Sequence, residues 1–118
     1  MTWRIVHVCQ SEKMQLKLDN LLIKKMGEDY VIPLSDISII VAEGGETVVT
    51  LRLLSALSKY NIALIVCDNE HLPTGIYHSQ NGHFRAYKKL QEQLLWTQEQ
   101  KDKLWQIVTY FKINNQQD

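Results

Sequence analysis

Ile37-Ser38-Ile39-Ile40-Val41, the segment Thr47 to Tyr60, and Ile62-Ala63-Leu64-Ile65-Val66-Cys67 together decide how this 118-residue chain folds. The first is a short apolar strand that ends at Glu43-Gly44-Gly45. In the second, Val49, Leu53, Ala56 and Leu57 recur at helical spacing with Leu54 alongside, which predicts a helix that Asn61 ends. The third is a continuous apolar run, read as a strand buried on both faces. Strand, helix and strand within about 30 residues form a crossover unit, which joins parallel strands.

Upstream of this unit the chain reads as short strands and turns. Arg4 to Cys9 is a strand candidate. From Lys13 to Leu18 the residues alternate strictly, with Met14, Leu16 and Leu18 on one face and Lys13, Gln15 and Lys17 on the other. Asp19-Asn20 is turn chemistry, and Leu21 to Lys24 resumes as the hairpin partner. Met26-Gly27-Glu28-Asp29 turns the chain again, and Tyr30, Ile32 and Leu34 alternate after it. Pro33 within that run predicts an edge strand, because proline cannot donate to a ladder.

Downstream, His71 to Gly75 and Gln80-Asn81-Gly82 are breaks, and the stretch between them is short enough to be extended. The reading places a domain boundary here, dividing residues 1–75 from 76–118. A helix is predicted from about His83 to Trp96, with Phe84, Tyr87, Leu90, Leu94 and Leu95 on one side. A second helix begins at Thr97, whose spacing to Gln100 fits a capping box, and carries a stripe of Leu104, Ile107, Val108 and Phe111. Packed only on each other, the two helices leave much apolar surface wet, so the protein is expected to continue past Asp118.

Composition sets limits on the function. With 45% hydrophobic and 22% charged residues the chain suits a globular domain and not a disordered one. Thirteen basic and 13 acidic residues cancel, which is unlike a strongly basic nucleic-acid binder. Residues 1–75 carry 7 basic and 9 acidic side chains (net −2), and residues 76–118 carry 6 and 4 (net +2), so a polyanion surface is expected in the second stretch. The only cysteines, Cys9 and Cys67, stand 58 positions apart in apolar runs and read as buried, reduced thiols of a cytoplasmic protein. The start has no signal-peptide layout, and no apolar run nears the roughly 20 residues that span a bilayer.

Candidate chemistry is sparse. His71, His78 and His83 lie near Asp68 and Glu70, but at spacings that match no common metal motif. Glu43-Gly44-Gly45-Glu46-Thr47 precedes a helix, yet it lacks lysine and its two glutamates would repel phosphate; a tight turn with Thr47 as helix cap explains it better. Ser55 and Ser58 have no partners for nucleophilic catalysis nearby in sequence. Arg85, Lys88 and Lys89 share one side of the first predicted helix, where they can hold phosphates or simply face solvent, with Lys88 and Glu92 as a helix pair. Pattern alone yields an α+β domain with a helical extension, no catalytic residue and no metal ligand.

Trp3-Arg4-Ile5-Val6, Leu34-Ser35-Asp36-Ile37, the helix opening Thr47 to Leu51, Asn61 to Leu64 and Cys67-Asp68-Asn69-Glu70-His71-Leu72-Pro73-Thr74-Gly75 resemble the CRISPR-associated spacer integrase family of type II systems. Trp96-Thr97, Trp105 to Val108 and Lys112 to Gln116 extend the likeness along the whole chain. The resemblance implies an α+β fold: a β-rich amino-terminal domain of two small sheets with one crossover helix, followed by the first helices of an all-α domain. It implies a homodimer formed largely through the β-rich domain, a smaller CRISPR adaptation subunit as partner, and double-stranded DNA as substrate. The family's reaction is transesterification, in which a DNA 3′-hydroxyl attacks a phosphodiester with Mg2+ or Mn2+ stabilising charge on oxygen. Its metal ligands belong to the helical domain and match no residue here, so this piece is expected to be inactive by itself. Under the resemblance Arg85, Lys88 and Lys89 are candidate DNA contacts. The competing reading is a stand-alone protein-interaction module with no DNA role.

Overall fold

The computed structural model describes residues 5–44, 46–78, 91–92 and 95–116, with side chains described as far as Tyr110 in the last segment. The crossover unit is present as predicted: β5 (Ile39–Glu43), α1 (Leu51–Lys59) and β7 (Ala63–Cys67). Strands β5 and β7 are parallel, and β1 (Ile5–Cys9) lies parallel on the other side of β5. Strand β8 (Pro73–Tyr77) adds antiparallel to β7, giving a four-stranded sheet of order β1-β5-β7-β8. This sheet continues two residues past position 75.

A second sheet has the order β4-β3-β2-β6, built from β2 (Lys13–Lys17), β3 (Asn20–Lys25), β4 (Glu28–Pro33) and β6 (Val48–Val49). Strand β4 is its edge strand, as Pro33 predicted. The first hairpin turns one residue earlier than Asp19-Asn20 suggested. Lys17 pairs with Asn20, and the central residues Leu18 and Asp19 both have positive φ, 49° and 62°. Leu18 therefore does not join Met14 and Leu16 in the core but stands 86% exposed. Tight two-residue turns with positive φ at both positions favour Asn-Gly, because bulky side chains crowd the backbone there. Replacing Leu18-Asp19 by Asn-Gly is expected to raise unfolding free energy by about 1 kcal/mol, read as a higher denaturant midpoint with unchanged slope.

The helix begins later than its sequence suggests. Val48 and Val49 instead extend alongside β2, and Thr50, not Thr47, caps α1, its Oγ1 accepting from Leu53 N–H at 3.3 Å. Thr47 is used elsewhere: its hydroxyl donates to Ser11 C=O at 2.8 Å and accepts from buried Ser11 Oγ at 3.3 Å. Asn61, at φ 57°, ends the helix as expected.

The parallel-containing sheet is covered on both faces. On one face Val6, Val8, Ile40, Ala42 and Leu64 meet Leu53 and Leu57 of α1 and Met14, Leu21 and Ile23 of the second sheet. On the other, Ile39, Val41, Ala63, Ile65 and Cys67 meet Leu104 and Val108 of α2 (Gln98–Gln116) and Trp96 before it. Leu104 and Val108 of the α2 stripe are thus buried on the sheet. The capping box forms as read: Thr97 Oγ1 accepts from Gln100 N–H at 3.2 Å, and Gln100 Oε1 accepts from Thr97 N–H at 2.9 Å.

Three expectations change. Val66 is exposed, so β7 is not buried along its whole length on both faces. Cys9 is half-buried; only Cys67 is buried, and both are free thiols. Leu95 and Trp96 lie outside any helix, so the predicted helix does not reach Trp96, and Leu95 is fully exposed instead of joining an apolar stripe. Among the described residues, no helix is long and apolar enough to cross a membrane.

Candidate functional site

Polar chemistry gathers where the parallel strands end, on the face covered by α2. Register sets Cys9 of β1 beside Glu43 of β5. Alternation puts His7, two residues before Cys9, on the same face. Cys67 ends the neighbouring strand just past the Ala42–Val66 pair. A carboxylate at this depth, 8% exposed, needs partners. Glu43 has one for each oxygen: His7 Nε2 lies 3.0 Å from Oε1 and His71 Nδ1 lies 2.7 Å from Oε2.

A tight loop delivers His71. The Asp68 carboxylate accepts from Glu70 N–H at 2.8 Å and Leu72 N–H at 3.0 Å, while Asp68 N–H donates to Leu72 C=O. His71 itself sits at φ 66°. The loop is tied to α2 by Gln100, whose side-chain amide donates to His71 C=O.

Burial pushes the Glu43 carboxyl up, but the hydrogen bonds and charge of His71 and His7 outweigh it, leaving the group below its ordinary value. Glu43 is therefore a carboxylate and only accepts, so each imidazole nitrogen facing it carries a proton. The Cys67 thiol is pushed up to about 12, first by burial and then by the charges of Glu43 and Asp68 and by Cys9. It is an inert thiol at neutral pH.

Gly44 lets the chain leave β5 against β1. Its φ is +106°, and a Cβ there would lie 3.1 Å from the Gln10 backbone, which donates its N–H to Glu43 C=O at 3.1 Å. Gly44→Ala is expected to cost about 2 kcal/mol from backbone strain and crowding, measurable as a lowered thermal midpoint.

By sequence, His71, His78 and His83 group with Asp68 and Glu70. Of these, the structure brings only His71 to Glu43; Asp68 shapes the loop, Glu70 lines the groove beside it, and His83 lies outside the described residues. His7 and Glu43 were missed as site residues, since 36 positions separate them and no local motif joins them. Arg85, Lys88 and Lys89 lie outside the described residues. The donors here do not suit Mg2+, which demands an octahedron of oxygens, whereas His7, Cys9 and Glu43 offer nitrogen, sulfur and one carboxylate.

The family described as CRISPR associated protein Cas1 matches residues 6–118. The chain belongs to this family. It is 38% identical over 116 residues to the CRISPR-associated endonuclease Cas1 of Neisseria meningitidis serogroup C (strain 8013), covering 98% of this chain and 38% of that protein. The chain therefore spans well under half the length of this Cas1 relative. Its fold resembles that of a CAS1 protein from Thermotoga maritima, at 20% identity and a TM-score of 0.59 over 64% of this chain and 24% of that one. It also resembles a chain of a partial Cas6-RT-Cas1–Cas2 complex, at 15% identity and a TM-score of 0.57 over 97% of this chain and 44% of that one.

Proposed function

We propose that the chain works in CRISPR adaptation as the amino-terminal part of a Cas1 integrase, which inserts captured foreign DNA as new spacers into the CRISPR array. The observation that carries this reading is the Cas1 family match across residues 6–118, supported by the Neisseria relative named an endonuclease. The full-length reaction is metal-dependent transesterification with Mg2+ or Mn2+ held by residues other than those of this chain, which by itself neither cuts nor joins DNA. Residues 1–75 serve homodimer formation and residues 76–118 begin the helical domain that meets duplex DNA and the smaller adaptation subunit, Cas2. The second sheet supports the dimer role: its edge strand β4 leaves Tyr30 and Val31 about half exposed. A strict monomer at high concentration would count against it.

DNA contact is tested by charge reversal. Arg85→Glu with Lys88→Glu is expected to weaken duplex binding at least tenfold and to flatten the plot of log affinity against log salt by about 2, as two phosphate contacts vanish. Unchanged affinity and slope would leave the interaction-module reading standing.

A further inference from the structure

We propose that His7, Cys9 and Glu43 form a binding site for one divalent transition-metal ion of the zinc class, separate from the family's catalytic centre. One ring nitrogen of His7, Cys9 Sγ and a Glu43 oxygen all lie within 4.8 Å of one another. Zinc bonds of about 2.0–2.3 Å in a tetrahedron set ligand atoms about 3.3–3.8 Å apart, so the 3.0 Å between His7 Nε2 and Glu43 Oε1 needs only a small opening. The three side chains stand on adjacent, register-locked strands, which hold ligand geometry better than loops do. Imidazole, thiolate and carboxylate are a borderline-soft set that selects zinc or cobalt over magnesium.

The surroundings fit a ligated carboxylate. His71 Nδ1–H holds the second Glu43 oxygen at 2.7 Å, which leaves Oε1 to face the metal. His71 is a positioning residue here, not a ligand. The groove beside Glu43, bounded by His71, Trp96 and Gln100, is open to solvent and leaves room for a fourth, exogenous ligand. Binding releases the Cys9 thiol proton, and the proton on His7 Nε2 moves to Nδ1, so that a neutral imidazole and a thiolate face the ion.

Cobalt is the probe. Titration of the 118-residue chain with Co2+ is expected to saturate at one ion and to produce a thiolate-to-cobalt charge-transfer band in the near ultraviolet, which Zn2+ abolishes by competition. Cys9→Ser should remove the band, while Cys67→Ala keeps it. His7→Ala, at a half-exposed position, should weaken Co2+ binding at least tenfold. His71→Ala should weaken it about tenfold, in the range of lost outer-shell partners, and retain the band. Circular dichroism verifies that each variant is folded. No saturable Co2+ binding, a band that survives Cys9→Ser, or unchanged affinity in His7→Ala would overturn the site.

Discussion

Leu53→Ala should lower the unfolding free energy by about 3 kcal/mol and the thermal midpoint by roughly 12 °C, at about 4 °C per kcal/mol for a chain of this size. Leu53 is fully buried on α1, at the junction where the helix meets both sheets. The core it belongs to draws its other side chains largely from β5, β7, β2 and β3, elements that cannot close the gap without breaking ladder hydrogen bonds. The cavity therefore persists, and its cost adds to the lost transfer energy of the side chain. Marginal domains have only about 5–15 kcal/mol in hand, so the variant remains folded at 25 °C but melts early. A loss below about 1 kcal/mol in equilibrium urea unfolding would mean that α1 does not seal the core.

Leu104→Ala should have a comparable cost, about 3 kcal/mol, but a different reach. Among the described side chains of α2, Leu104 and Val108 are the buried ones by which it grips the sheet face opposite α1. Among the described residues its other contacts include the Thr97–Gln100 capping box, the tie from Gln100 to His71 C=O and the bond from Gln91 to Lys101 C=O at 2.7 Å. Removing the larger anchor should open α2 before the sheets. Amide exchange in residues 101–110 is then expected to quicken about a hundredfold, since each 1.4 kcal/mol is a factor of ten. Exchange in β5 and β7, protected on their other side by α1, should change far less. Equal acceleration in the helix and the strands would show that the two cores unfold as one.

Much of the fold was legible because it rests on local patterns. The apolar runs 37–41 and 62–67 with a helical stripe between them specify a parallel crossover, since no short link joins parallel strands. Pro33 marked an edge strand and Asn61 a helix end, each through its own backbone restriction. The Thr97–Gln100 capping box lay within four residues and formed as read.

The main departures come from strand pairing and tertiary contact. Thr47 to Thr50 carries the apolar spacing of a helix start, but pairing with β2 and the Ser11 bonds outweighed local propensity and moved the cap to Thr50. Leu18 fits an alternating strand, yet the Lys17–Asn20 pairing put it at the turn. The histidine cluster read from residues 71–83 did not include His7 or Glu43, the two residues that the sheet joins to His71.

By itself the sequence determined most of the secondary-structure types, the crossover and the family, because these follow from spacing, chain stiffness and residue order. Only the tertiary structure decided that α2 covers the sheet's second face and that His7, Cys9, Glu43 and His71 converge. Parallel pairing places residues dozens of positions apart within bonding distance, and no periodicity along the chain records which strand lies beside which.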